Sequence, residues 1–145
     1  MRGQEPRDFA RRMAAECLAV RVRRLGRVIT RIYDAALAPH GVTIAQLNLL
    51  SAISAAEGPR QTDLVRILEL EKSTLSRDLQ KMEQLGWIRS GSPESSRGRS
   101  ISLTPAGTRL LLQIRPSWEQ AQETARSQLG RGAFGRLRKL LPPIG

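Results

Sequence analysis

At 145 residues, with 40% hydrophobic and 26% charged side chains, the chain is long enough and apolar enough to bury a core as one compact unit. Aromatics make up only 3%, so aliphatic side chains must build that core, and the net charge of +11 points to an anionic partner, a nucleic acid or an anionic membrane surface. One cysteine excludes an internal disulfide and suits a reducing cytoplasm. A single His beside it leaves no zinc constellation, so neither metal nor cofactor is expected.

The charge is unevenly placed. Residues 1–40 hold nine arginines against four acids, a net of +5, and residues 105–145 are again +5. Residues 59–104 are only +2. The opening "MRGQEPRDFARR" has no apolar core, so no secretory signal is expected. No stretch approaches the length of a membrane span.

In chain order, the first predicted element is a helix from about Asp8 to Leu37. Leu18, Val22, Leu25, Ile29, Ile32 and Ala36 recur at spacings of four and three, a helical stripe, and Arg21, Arg24, Arg27 and Arg31 lie mostly off it. A helix of that length suggests contact with a partner beyond its own core. The arginines read either as a solvated face or as added contact with flanking phosphates.

Cys17 lies early in this helix, with Arg21 one turn on and Arg24 two turns on. Nearby cations favour a thiolate, which would make Cys17 a redox candidate. The plainer reading is a small buried side chain. "APHG" ends the helix, and His40 within it reads as a loop residue or a pH-sensitive group.

In "GVTIAQLNLLSAISAAEGPR", Thr43 and Gln46 form a capping box, with Val42 and Leu47 as the accompanying staple. That helix should stop near Glu57. "QTDLVRILELE" is a short helix with Leu64, Val65 and Leu68 inward. The next, "KSTLSRDLQKMEQLGW", carries Leu75, Leu79 and Met82 inward and ends at Gly86. Two short helices on a tight turn have the helix-turn-helix shape, although "LELEK" lacks the glycine often found there.

"WIRS" and "RSISLT" read as strands around the turn-rich "GSPESSRG", a hairpin or wing. Thr104 and Pro105 then start a helix with its stripe at Leu111, Ile114, Trp118, Ala121, Ala125 and Leu129. Pro116 should kink it. A last helix runs from about Ala133 to Leu141. The fold expected is mainly α with a small β-wing: a winged helix-turn-helix on a helical platform.

Ser and Thr are mediocre helix formers, yet three crowd the start of the second short helix. One reading is an N-cap on a solvated helix. The other is the end of a helix that enters the major groove of double-stranded DNA, where small hydroxyls permit close approach and bond phosphates or bases. The order of elements favours the second. The candidate DNA-binding residues are therefore Lys72, Ser73, Thr74, Ser76, Arg77 and Lys81, with Arg97 and Arg99 at the wing. No nucleophile–base pairing, phosphate-cradling glycine loop or matched carboxylate pair supports an enzyme. A membrane-surface protein would need an aromatic-bearing basic helix.

These residues carry a resemblance. "LAPHGVTIAQLNLL", "LVRILELEKSTLSRDLQKMEQLGWI" and "SRGRSISLTPAG" resemble the MarR-type (multiple antibiotic resistance regulator) family across nearly the whole chain. The resemblance implies a cytoplasmic homodimer that binds a pseudo-palindromic operator. Residues 1–40 and 105–145 would form the dimerisation platform and 41–104 the DNA-binding region.

It also implies a repressor released by a small, often aromatic ligand or by thiol oxidation. The ligand pocket would lie near Tyr33, Leu37, His40, Leu47 and Leu50. Many members carry an acid two positions before the wing arginine, where this chain has Ser95, with Glu94 next to it. A nonspecific architectural DNA-binding protein is the alternative function.

Overall fold

A computed structural model describes residues 4–92 and 98–141. The elements are α1 (Gln4–Glu16), α2 (Leu18–Leu37), a 3-10 turn (Ala38–His40), α3 (Ile44–Ala55), α4 (Gln61–Leu68) and α5 (Lys72–Gln84). The strands β1 (Ile88–Ser90) and β2 (Ile101–Leu103) follow, then α6 (Pro105–Leu129) and α7 (Ala133–Leu140). The fold is mainly α with a two-stranded wing, as the pattern of the chain predicts. Among the described residues no single helix is long and apolar enough to cross a membrane.

The first helix departs from expectation. One helix from Asp8 to Leu37 is predicted, but the chain breaks at Cys17, which takes extended backbone at φ −63° and ψ 114°. The Arg21 side chain reaches back across the break, its Nε donating to the Ala15 carbonyl at 3.2 Å. That carbonyl thereby gains a partner in place of a helical amide. Glycine and proline, the usual signals of a break, are absent from the stretch around Cys17.

Over residues 42–92 and 98–103 the structure follows the predicted signals closely. Thr43 Oγ1 accepts from the Gln46 amide and Gln46 Oε1 accepts from the Thr43 amide, so the capping box is closed. Val42 and Leu47 are buried together with Leu37 and Ile114. A second cluster gathers Leu49, Leu50 and Ile53 of α3, Leu64 of α4, Leu75, Leu79 and Met82 of α5, and Ile88 and Ile101 of the strands. Trp87, Leu110 and Leu111 pack against both clusters and join them.

The turn between α4 and α5 manages without glycine because Glu69 itself adopts the left-handed conformation, φ 51° and ψ 40°. Leu70 then packs against the larger cluster and the chain enters α5. The strands pair antiparallel with Ile88 opposite Leu103 and Ser90 opposite Ile101. Pro59 extends this pairing, its carbonyl accepting from the Ile101 amide at 2.9 Å.

Thr104 closes the wing and starts α6. Its Oγ1 accepts from the Gly107 amide at 3.1 Å, and its own amide donates to the Trp87 carbonyl at 3.0 Å. Gly107 lies so close to Trp87 that a Cβ there would meet the Trp87 carbonyl oxygen at 2.0 Å. Helix α6 runs unbroken through Pro116, whose ring has no amide for the Leu112 carbonyl. It packs along α2, where the Tyr33 hydroxyl bonds Gln122. At the 3-10 turn His40 Nε2 lies 2.9 Å from Ser117 Oγ.

Candidate nucleic-acid interface

Helix α5 is amphipathic with a sharp boundary. Leu75, Leu79 and Met82 are buried, while Lys72, Ser73, Thr74, Ser76, Arg77 and Lys81 are all exposed. At 100° per residue, Ser73, Arg77 and Gln80 lie on the face opposite the apolar stripe, and Ser76 lies about a quarter of a turn from it.

The hydroxyls do not cap this helix. Its N-cap is Glu71, which contributes no side-chain hydrogen bond, so Ser73, Thr74 and Ser76 stand inside the first turns. The first-turn amides therefore face outward without a side-chain acceptor, the arrangement that suits an anion. The N-cap reading of the hydroxyl cluster does not apply.

Each candidate residue has a distinct setting. Arg77 Nε leans on the Ser73 carbonyl at 3.4 Å, which holds the guanidinium against the outer face of its own helix. Gln61 Nε2 donates to Ser76 Oγ at 2.7 Å, tying the start of α4 to the face of α5. Ser76 thus has a structural bond as well as an exposed oxygen. Glu83 lies at the far end of α5, where its Oε1 accepts from the Ser90 amide at 3.1 Å and fastens the wing.

Between α4, α5 and the wing runs a groove of about 410 Å3, lined among others by Gln61, Lys72, Ser76, Gln80 and Arg99. The structure therefore brings Lys72, Ser76 and wing Arg99 together. Arg97, with Glu94 and Ser95, lies outside the described residues. Sequence reasoning passes over Gln61, Gln80 and Glu83. Exposed helical glutamines and glutamates carry no signal of their own, and only the approach of α4 and the wing to α5 marks them.

The five residues proposed for a ligand pocket do not converge on one space. Leu37 and Leu50 are fully buried, in two different clusters. Tyr33 borders a cavity of about 570 Å3 between α2, α3 and α6, together with Val22, Leu25, Ile44, Trp118 and Gln122. Leu47 borders a smaller one of about 380 Å3 between α3 and α6, with Ser51, Leu111 and Arg115. Asn48 and Trp118 border both. His40 contacts Ser117 and borders neither cavity.

Burial pushes the Tyr33 phenol above its ordinary range, partly offset by the Arg126 guanidinium. Cys17 is half-buried at the helix break. The Arg21 guanidinium is directed to the Ala15 carbonyl rather than held free for the thiol. Among the described residues no group of His, Cys, Asp and Glu is placed to hold a metal ion.

Known proteins share this architecture. The MarR family model matches residues 40–98, which run from the end of the 3-10 turn past β1 and stop before β2. The M. tuberculosis transcriptional regulator MosR, in complex with DNA, is 30% identical over 87% of this chain and 91% of its own, with a TM-score of 0.76.

A mutant MarR from E. coli complexed with operator DNA superposes at a TM-score of 0.79, with 21% identity, over 90% of this chain and 94% of its own. Bordetella bronchiseptica BpsR, whose DNA binding is regulated by 6-hydroxynicotinic acid, is 20% identical. It covers 88% of this chain and 91% of its own at a TM-score of 0.77. No curated protein matches the sequence.

Proposed function

The chain belongs to the MarR family of DNA-binding transcription regulators, and from that membership we propose that it is a homodimeric, sequence-specific repressor. The observation that carries this reading is the start of α5. Its first two turns present an uncapped helix end, hydroxyls and Arg77 to solvent, and Lys72 and Ser76 share a groove with Arg99 of the wing. In this reading α5 enters the major groove of double-stranded DNA. Its amides and Ser73 take phosphate, and Arg77 reads a base edge. Thr74 and Lys81 flank the helix toward the backbone, and Arg97 and Arg99 of the wing follow the adjacent groove.

The dimer rests on apolar side chains that the single chain leaves uncovered. Phe9 is 64% exposed, Leu18 74%, Val22 58% and Leu140 76%. They lie on α1, α2 and α7, in the segments 1–40 and 105–145 that we assign to a platform around the reading unit 41–104. Two copies related by a two-fold axis would cover these faces and present two α5 helices to a pseudo-palindromic operator.

Release by a small aromatic ligand has a suitable location at Trp118. This side chain is 39% exposed and stands between the two cavities, both set between the platform and the reading unit. Tyr33 and Leu47 would each line one side. Leu37, His40 and Leu50 would act through packing rather than contact. Oxidation of Cys17 is the other route of release, through its position at the joint between α1 and α2.

Selection of duplexes from a random pool, followed by binding to the winner and to scrambled DNA over a salt series, tests the reading. A two-fold-symmetric winner is expected, with Arg77→Ala losing about 1–3 kcal/mol of discrimination. Binding without a preferred sequence would replace it with a nonspecific architectural role.

A further inference from the structure

The basic charge of this chain lies mainly away from the helix that reads DNA. Helix α2 carries Arg21, Arg23, Arg24, Arg27 and Arg31, and all five are exposed. Arg21 turns back to Ala15. The other four fall within about 100° of arc on the side opposite the apolar stripe, in a ridge about 12 Å long.

No ion pair to these four is formed among the described residues, whereas Arg11 and Arg12 of α1 pair with Asp8 and Glu16. The one acid of α2, Asp34, directs its carboxylate to the Ile44 amide at 2.7 Å. The ridge also repels itself. Arg23 and Arg27, Arg24 and Arg27, and Arg27 and Arg31 are like charges at three- and four-residue spacing, each of which disfavours the helix.

We propose that the Arg23–Arg24–Arg27–Arg31 ridge of α2 is a second nucleic-acid surface, which contacts duplex phosphates independently of sequence while α5 reads the bases. The chemistry favours phosphate. Guanidinium groups donate in a fork that matches two phosphate oxygens, and α2 carries arginines and no lysine. The reading segment 59–104 has a net charge of only +2, so the long-range attraction of the protein for duplex phosphates comes mainly from other parts of the chain. The ridge supplies four unneutralised charges per protomer for that role. The proposal goes beyond the repressor reading and does not depend on a preferred operator.

The test is binding of the full chain to a long random-sequence duplex over a salt series. Replacing the four arginines by glutamine should weaken binding at least ten-fold at moderate salt and flatten the log–log salt slope by about two or more. The preference for a selected site over scrambled DNA should stay within about two-fold. Arg77→Ala should do the reverse, so failure of the ridge and failure of the reading helix give different results.

A fourfold Arg→Lys variant should keep the slope. If it loses the slope as the glutamine variant does, charge is not the cause and the proposal falls. If the fourfold variants do not fold, Arg23→Gln with Arg27→Gln should show about half the change in slope. An unchanged slope in the glutamine variants would make the ridge a solvated face. The same unchanged slope, with ridge-dependent co-sedimentation on phosphatidylserine vesicles, would reassign it to a membrane surface.

Discussion

Gln61 and Ser76 join α4 and α5 of the reading unit through a single side-chain hydrogen bond, Nε2 to Oγ at 2.7 Å. The bond fixes the start of α4 against α5 beside Arg77. Removing either partner should cost about 0.5–1.5 kcal/mol of stability. The two losses should be less than additive, because they share one interaction. Urea denaturation of Gln61→Ala, Ser76→Ala and the double variant measures this, and full additivity would show that the bond has no energetic role. DNA affinity should fall further for Ser76→Ala than for Gln61→Ala, because Ser76 is exposed on α5, the helix proposed to enter the major groove, whereas Gln61 is half-buried at the start of α4.

Among the described residues Glu83 is the one carboxylate lining the groove, and it holds the Ser90 amide. Glutamine at this position keeps an oxygen acceptor and removes the negative charge. Glu83→Gln should therefore tighten DNA binding, roughly two- to five-fold at low salt, and the gain should shrink as salt rises. Glu83→Ala removes the tether too, so the wing should lose protection from limited proteolysis in the free protein. Equal behaviour of the two variants in both assays would assign Glu83 to charge alone.

Gly107 has no room for a methyl group. A Cβ would meet the Trp87 carbonyl at 2.0 Å, and that oxygen is backbone already engaged by the Thr104 amide. Gly107→Ala gains helix propensity, but the steric conflict exceeds that gain. A net destabilisation of about 1–3 kcal/mol is expected. A thermal melt equal to or above that of the parent would show that α6 can shift away from Trp87 without cost.

Tyr33 is the only tyrosine of the chain, so its ionisation can be followed directly in the ultraviolet tyrosinate band. Its folded-state pKa is raised above 10.0 by burial, against the opposing pull of Arg126. The neutral phenol is the form the fold favours. Its contribution to stability is fully present below pH 10 and is lost as the pH rises through the folded value. The titration midpoint should lie higher in the native protein than in urea, and Arg126→Gln should raise it further.

The elements that the sequence announces are those with local chemistry. Thr43 and Gln46 are three residues apart and cap each other, and Thr104–Pro105 starts a helix wherever it stands. The wing strands follow from alternation and from the turn residues between them. What escapes a reading of the chain is nonlocal or lacks a dedicated residue type. Cys17 breaks the first helix with neither glycine nor proline. Glu69 takes a left-handed turn that glycine would usually occupy.

In the candidate site, exposure marks the α5 hydroxyls and Arg77 as available, and periodicity is enough to find them. Gln61 is fifteen residues from Ser76, so only folding reveals that pairing. The ligand-pocket residues are the least legible in the sequence. An apolar side chain on an inward face reads alike whether it seals a core, as Leu37 and Leu50 do, or borders a space, as Leu47 does.

The chain's two tryptophans sit in different surroundings. Trp87 is half-buried where the two clusters meet, while Trp118 stands more open between the cavities of α3 and α6. The molecule therefore carries two native fluorophores with separate assignments. The bluer emission reports on cohesion between reading unit and platform, and the redder one reports on whatever enters the crevice beside α6.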